Sequence, residues 1–431
     1  MFTIVLVYNR MQSRYNIDMK TILHCDANNF YASVECIGRP DLQGVPVAVC
    51  GDPQKRHGII LAKNNIAKKC GVKTAETINE ALNKCPDLKL VAPHFEKYVA
   101  ISNQIFDIYK EYTDRVEPFG IDEGWLDVTP SVKLFGQGAK IADELRARIK
   151  KDLGLTISVG VSFTKIFAKL GSDMKKPDAT TVISKENYKQ KIWPLAANEM
   201  LMVGRHTYAA LLSLGIHTIG DLANADEKLL VKKMGINGAK LISYARGEEG
   251  EDVREYYNGR VHKSIGHSTT MPKDVSTREE CAAVITALSE MVAARLRKAG
   301  SKASGVSVSL RYNDLTHRSR QCLISPATDS AGRIAEESLA LLDTFYREGR
   351  DKPLRGLGVS VFDLNEEGDA VQASLFDLQK ENEKTSGLAR SIDAIRSKYG
   401  FDSIKSATLI KNMCICDDLD GDSDFLPFNK H

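Results

Sequence analysis

Apolar and polar residues alternate with two periods along this chain, and the changes between them mark out its elements. Ile22-Leu23-His24-Cys25 is a short, mostly apolar run that ends at Asp26, the pattern of a buried strand. Asn28-Asn29 breaks it, and Phe30 to Glu35 begins a helix. Pro46 to Gly51 and Gly58 to Ala62 predict two further strands, and Asn65 to Cys70 a helix that Gly71 stops. From Phe95 to Thr113 the spacing is helical, with Tyr98, Ile101, Ile105, Ile108 and Tyr109 on one face, and Val116 to Phe119 follows as a strand. A second amphipathic helix runs from Gly138 to Leu153 and turns Ile141, Leu145 and Ile149 inward. Thr156 to Ser162 alternates with period two and predicts a half-buried strand. Strands and helices thus succeed one another, which fits an α+β (or α/β) sheet backed by helices.

Further on, Trp193 to Gly247 is helical and carries two glycine-punctuated turns, at Val203-Gly204 and at Met234-Gly235-Ile236-Asn237-Gly238. Glu248 to Arg260 is charged and poor in aliphatics, the composition of a linker. A helix over Thr277 to Lys298 precedes a hairpin in which Val306, Val308 and Leu310 alternate with Ser307, Ser309 and Arg311, while Arg318 and Arg320 stand on the next strand. A helix from Ala331 to Tyr346, a strand from Leu357 to Phe362 and a small amphipathic helix from Leu388 to Tyr399 complete the pattern.

A length of 431 residues implies several structural units. The 43% hydrophobic and 27% charged content is that of an ordinary soluble protein, and a formal charge of +3 makes any basic surface local. The nine cysteines form no CxxC pair and no disulfide rhythm, which favours a reducing cytoplasm. Ile4 to Val7 is too short for a membrane span, and Met1 to Asp18 reads as an extension ahead of Met19. The acidic run Asp417 to Asp424 does not fit a calcium loop, because aligning Gly421 with the loop glycine puts Cys416 and Pro427 at the first and last ligand positions.

One stretch concentrates chemistry. Gly120-Ile121-Asp122-Glu123-Gly124-Trp125-Leu126-Asp127 sets two adjacent carboxylates between glycines in an apolar run. Neighbouring side chains on a strand point to opposite faces, so Asp122 and Glu123 can share a ligand only near a turn or strand end, and the glycines are expected to permit that bend. Taken alone, an Asp-Glu pair reads as a solvated surface turn, and Asp26 alone reads equally as a cap of the next helix or as a site acid at the carboxyl end of a strand.

Three elements together change that reading: Asp26-Ala27-Asn28-Asn29-Phe30-Tyr31-Ala32-Ser33-Val34-Glu35, the acidic stretch, and Val159-Gly160-Val161-Ser162 through Ala168-Lys169-Leu170-Gly171-Ser172-Asp173-Met174-Lys175-Lys176-Pro177. In this order they resemble the Y-family, or translesion, DNA polymerases of the bacterial polymerase IV and V type, over about Thr21 to Leu378. The resemblance implies a low-fidelity, template-directed polymerase without proofreading. It further implies nucleotidyl transfer with two Mg²⁺ ions, which suit oxygen ligands and act about 3.5 to 4 Å apart. By motif, Asp26, Asp122, Glu123 and the carbonyl of Ala27 would be metal ligands. Tyr31 would be the steric gate against a ribose 2′-hydroxyl, with Phe30 beside it, and Lys68 and Lys176 would meet the triphosphate.

The same resemblance divides the chain into an extension (1–20), a palm (21–29 and 95–183), small fingers (30–94), a helical thumb (184–253), a linker (254–263), an α/β little finger (264–365) and a tail (366–431). Helix-hairpin-helix turns at Gly204, Gly235 and Gly238 would offer backbone N–H groups to DNA phosphates, and Arg311, Arg318 and Arg320 would form a phosphate-contact face. Gln372-Ala373-Ser374-Leu375-Phe376 resembles a sliding-clamp peptide, in which Gln372, Leu375 and Phe376 would make the contacts. Implied partners are primer-template DNA, a dNTP and the clamp, for a cytoplasmic monomer with no membrane role.

Two departures from the family pattern stand out. Asp-Ala-Asn replaces the commoner Asp-x-Asp, and Ala62-Lys63-Asn64-Asn65 lacks the hydroxyl residue and Tyr that relatives set on the triphosphate, with Lys63 or Asn65 as substitutes. The altered Ala62 to Asn65 stretch motivates one alternative, a catalytically weak or inactive relative that occupies DNA and clamp. Because acidic metal pairs recur there, another is a nucleotide cyclase or related palm-type transferase that needs no primer, against which the expected thumb and little finger argue.

Overall fold

Strand β1 (Ile22–Ala27) is buried along its whole length because it is the middle strand of five. The structure, a computed structural model, describes residues 20–52, 58–248, 250–256, 262–366, 383–400 and 403–404. They divide into two compact units, the described residues of Met1–Gly51 and Ile59–Gly259 in the first and those of Arg260–Asp424 in the second. Residues 1–19 of the N-terminal extension, Gln372, Leu375 and Phe376 of the clamp-like peptide, and the acidic run lie outside the described residues.

In the first unit β1 pairs antiparallel with β6 (Glu123–Asp127) and β7 (Ile157–Ser162), while β5 (Val116–Pro118) and β8 (Thr180–Val182) form the edges. Leu23, Cys25, Ala27, Ile157, Val159 and Val161 share a core with Tyr98, Ile105, Phe106 and Tyr109 of the helix Phe95–Lys110, and with Ile141, Leu145 and Ile149 of the helix Gly138–Leu153. Each buried Leu, Ile, Val or Phe side chain among these contributes about 1.5–3 kcal/mol. The other face, which carries His24, Asp26, Ser158, Gly160 and Ser162, is covered by the helix Lys165–Met174.

The strand expected to be half-buried is therefore buried on both faces. Its alternation separates large residues on one side from small ones on the other. A Cβ on Gly160 would lie 1.9 Å from the carbonyl oxygen of Ala168, so the helix is seated against bare backbone.

Between the helices Phe30–Cys36 and Phe95–Lys110 a small lobe is inserted, with a three-stranded sheet in the order β3 (Ile60–Lys63), β2 (Val47–Cys50), β4 (Lys89–Val91). The helices Asn65–Lys69 and Ile78–Lys84 close its core of Ala48, Cys50, Ile60, Ala67, Ile78 and Ala81. Residues 205–246 form four helices. Gly204 caps the first, and Gly235, with φ +65°, links Glu227–Met234 to Ile236–Arg246. Gly238 departs from its expected role: it is buried, its N–H donates to the Gly235 carbonyl, and a Cβ there would meet the Leu230 carbonyl oxygen at 2.6 Å. It allows two helices to approach closely.

The second unit is a four-stranded antiparallel sheet in the order β11 (His317–Thr328), β10 (Ser301–Tyr312), β12 (Leu354–Glu366), β9 (Ser264–Val275). The helices Arg278–Lys298 and Ala331–Phe345 cover one face over Val306, Val308, Leu310, Val359 and Val361. Strand β9 escaped the sequence reading because its residues are largely polar and only Met271 and Val275 are buried. The helix Glu383–Tyr399 is longer than expected and docks on Arg278–Lys298, with Arg297 bidentate to Asp393 and Arg396 bonded to Glu290 at 2.7 Å.

The three arginines expected on one face of this sheet are divided between two. Val308 pairs with Arg320 and Leu310 with Arg318, and directly opposed residues point the same way, so Arg318 and Arg320 lie on the helix side. Arg311 pairs with His317 and Gly356 on the open side, among Ser307, Ser309, Gly358 and Ser360.

Among the described residues no helix is long and apolar enough to cross a membrane. Seven cysteines among the described residues are free.

Candidate active site

Asp26 and Glu123 are direct register partners on β1 and β6, so their carboxylates leave the sheet on the same side. Asp122 occupies the turn just before β6, and its carbonyl oxygen accepts the Ala27 N–H at 2.9 Å. The two acids thus meet at a strand end, as their opposite pointing on a strand demands. The glycines act differently from expectation. Neither Gly120 nor Gly124 has a positive φ, and a Cβ on Gly124 would sit 3.0 Å from both the Glu117 carbonyl oxygen and the ring of Phe106. Gly124 is there for close packing beneath the site.

Two lysines from the covering helix and its exit complete the cluster. Lys169 donates to Glu123 at 2.6 Å and to Asp26 at 3.0 Å, and Lys176 donates to Asp26 at 2.8 Å. Asp173 joins both lysines, at 3.4 and 2.8 Å. Burial alone would raise the Asp26 carboxyl, but Lys169 and Lys176 outweigh it and hold the group below its ordinary range. Asp122 is pushed up to about 6 by burial and by the Asp26 charge. Glu123 is pushed up to about 7, chiefly by burial. This is a carboxylate cluster short of positive charge, with hard oxygen donors, and it fits a divalent cation.

His24, given no role by the motifs, enters the same cluster. It is fully buried, its Nδ1 faces Ser172 Oγ at 2.9 Å, and its Nε2 lies 3.5 Å from Glu123 without a hydrogen-bond partner. Burial, seconded by Lys169, keeps the imidazole neutral. Ligand atoms of His24, Asp26 and Glu123 lie within 4.8 Å of one another, the one such cluster among the described residues. Its signal was the i, i+2 spacing of His24 and Asp26 on a strand. For Lys169 it was the i, i+4 spacing to Asp173 on a helix.

Asn28 and Asn29 serve the backbone here. Asn28 accepts from Ser158 at 2.9 Å, and Asn29 turns the chain into the helix with φ 51°, so Asp26 is free of any capping duty. Tyr31 is half-buried near Asp122, and its ring stacks on Tyr98. Phe30 corrects its expected role: at 3% exposure it belongs to the core behind Tyr31 and offers no surface to a ligand. Lys68 is exposed on the helix Asn65–Lys69. In the altered stretch, Asn64 is consumed by structure, accepting from Val47 and Ala67 and donating to Val45, while Lys63 donates to Thr74 at 2.9 Å. Asn65 is left exposed.

Similarity to known proteins agrees with this geometry. The model of the impB/mucB/samB family matches residues 25–173, and that of the family's C-terminal domain matches 262–375. DNA polymerase IV of Acetivibrio thermocellus is 44% identical over 91% of this chain and 98% of its own. DNA polymerase IV 1 of Bacillus subtilis is 36% identical over 91% of this chain and 94% of its own. The chain belongs to the DNA polymerase IV group of Y-family DNA polymerases. Members of this family are metal-dependent nucleotidyltransferases that act on DNA and nucleotides. A solved structure of a chimeric Y-family polymerase matches the fold, with a TM-score of 0.73 and 24% identity over 80% of this chain and all of that one.

Proposed function

We propose that this chain is a low-fidelity, template-directed DNA polymerase that copies past lesions without proofreading. The observation that carries the reading is the convergence of Asp26, Asp122 and Glu123 at adjoining strand ends beneath two lysines. Asp26, Asp122 and Glu123, with the Ala27 carbonyl, would hold two Mg²⁺ ions, which when bound neutralise charge on the attacking and leaving oxygens. Until then Lys169 and Lys176 partly neutralise the carboxylates. Lys176, half-exposed, is the group best able to exchange a carboxylate for a triphosphate, and Lys68 and Asn65 would approach the phosphates from the small lobe. Tyr31 would exclude a 2′-hydroxyl from the sugar position.

The segments fall into the roles of palm, fingers, thumb and little finger. A lobe as small as residues 30–94 presses weakly on a base pair and so rejects damaged ones poorly. Gly204 and Gly235 would present backbone N–H groups to phosphates, and Arg311 with its Ser and Gly neighbours would meet the duplex backbone. The peptide at Gln372, Leu375 and Phe376 would bind a sliding clamp. We read the protein as a cytoplasmic monomer.

Primer extension by purified protein with Mg²⁺ and dNTPs, beside an Asp122→Ala control, tests this. Extension by the parent alone is expected. Equal product from both defeats the assignment, and salt-sensitive DNA binding without extension would make the chain a non-catalytic member of the family.

A further inference from the structure

Tyr31 has a rigid backing. Its ring stacks on that of Tyr98, with centroids 4.4 Å apart and planes inclined by 16°. Phe95 closes an edge of both rings, at 5.9 and 5.6 Å, and Phe30 lies 5.8 and 6.4 Å from the same pair. Within this aromatic cluster Tyr98 is fully buried, and its hydroxyl donates to Glu35 Oε1 over 2.5 Å.

Glu35 lies one helical turn after Tyr31 on Phe30–Cys36, is 2% exposed, and faces His94 Nδ1 at 3.0 Å with the same oxygen. A carboxylate is costly to place in such surroundings unless its hydrogen bonds are made. Here those bonds fix the hydroxyl end of Tyr98, and the fixed ring fixes the plane against which Tyr31 rests.

We propose that Glu35 is a positioning residue for sugar selection, acting on Tyr31 through Tyr98. The inference rests on the reading of Tyr31 as the side chain that faces the nucleotide sugar. Tyr98 has one polar atom, and Glu35 holds it. Without that anchor the Tyr98 ring can slide or tilt within the cluster, Tyr31 can recede with it, and the space for a 2′-hydroxyl opens although Tyr31 itself is intact. Glu35 touches no substrate in this scheme.

The experiment compares single-nucleotide incorporation from dNTP and rNTP by the parent, Tyr31→Ala, Glu35→Ala, Glu35→Gln and Tyr98→Phe, with the melting temperature of each variant recorded. Glu35→Ala and Tyr98→Phe are expected to lower the dNTP-to-rNTP ratio of kcat/KM about tenfold, less than the roughly hundredfold that a full 1 Å misplacement can cost. The change should come from faster rNTP use. Glu35→Gln keeps an acceptor for the hydroxyl and is expected to restore the parent ratio, a rescue that a loss of stability alone would not produce. Tyr98→Phe keeps the ring, so it decides the matter if Glu35→Ala fails to fold. A parent-like ratio in Tyr98→Phe, with a relaxed one in Tyr31→Ala, overturns the role of Glu35 and leaves the gate standing. An unchanged ratio in Tyr31→Ala overturns the gate and this inference together.

Discussion

Lys169 Nζ lies 2.6 Å from Glu123 Oε2, and the same ammonium spans to Asp26 across the strand pair. One resident cation therefore occupies the gap between two carboxylates that face each other in register. Hydrogen bonds to charged groups contribute about 1.5–3 kcal/mol, which in a rate corresponds to about ten- to a hundredfold. Lys169→Met, which keeps the length and loses the charge, should lower kcat/KM for dNTP incorporation by about that factor and, by removing a cation that competes for the same carboxylates, lower the Mg²⁺ needed for half-maximal extension. A Mg²⁺ titration of single-turnover extension measures both. Parent-like values in both would make Lys169 a bystander.

The acidity of the cluster predicts how the metal-free protein responds to pH. Asp122 titrates at about 6 and Glu123 at about 7, above the value near 4 of an unfolded carboxyl. From about pH 4 to 7 the folded chain holds protons that the unfolded chain has released, so the stability linked to these groups is present below pH 4 and lost as pH rises through 6 and 7. Asp26 is held low, so its contribution is present above the unfolded value and lost only in stronger acid. In EDTA the Tm should fall between pH 5.5 and 8. The double variant Asp122→Asn, Glu123→Gln should flatten that fall, and Mg²⁺ should reduce it for the parent. An equal pH slope for parent and double variant counts against the assignment.

Gly160 is predicted to be intolerant of even one methyl group. The added Cβ would lie 1.9 Å from the Ala168 carbonyl oxygen and 2.6 Å from the Ser172 nitrogen, and backbone on both sides leaves nothing to swing away. Gly160→Ala should cost more than the about 1–3 kcal/mol usual for overpacking. The covering helix carries Lys169 and Ser172, so activity per folded molecule should fall too. Gly332→Ala, in the helix Ala331–Phe345 where a Cβ meets only Ser330 Oγ at 4.0 Å, is the control and should be neutral or mildly stabilising. Urea denaturation of both variants decides it, and a cost for Gly160→Ala no larger than for the control would refute the close-contact account.

The elements around the acids were legible because each keeps one period: helical over Phe95–Lys110 and Gly138–Leu153, two over Ile157–Ser162. The site residues Asp26, Asp122 and Glu123 were legible through their motifs, and the structure brings them together. What periodicity could not supply was the third dimension. Ser158, Gly160 and Ser162 look polar or neutral in sequence, which suggested solvent, whereas their small size admits a helix. Glu35 and Tyr98 stand 63 residues apart, and only the packed aromatic cluster makes them partners. Arg318 and Arg320 were grouped with Arg311 because the hairpin register, set by where the turn falls, is invisible until the strands are paired.

That register yields a prediction separating the arginines. Arg311 rises from the open face beside Gly356 and Ser309, with its Nε buried and without a hydrogen-bond partner. Arg318 sits over the ring of Phe345 at 5.9 Å, donates to the Tyr312 hydroxyl at 3.3 Å, and lies 3.6 Å from Asp351. The first arrangement offers a guanidinium to an approaching phosphate; the second spends it on the protein's own helix side. Each phosphate contact adds about 0.9 to the slope of log affinity against log salt for duplex DNA. Arg311→Ala should therefore weaken binding to primer-template DNA at low salt and reduce that slope by about one. Arg318→Ala should leave the slope alone and lower the Tm through lost packing and pairing. Fluorescence anisotropy with labelled DNA across a KCl series, paired with thermal melts, separates the outcomes. A slope reduced by Arg318→Ala and not by Arg311→Ala would mean that DNA meets the helix side of this sheet's edge and leaves the Gly-Ser face uncovered.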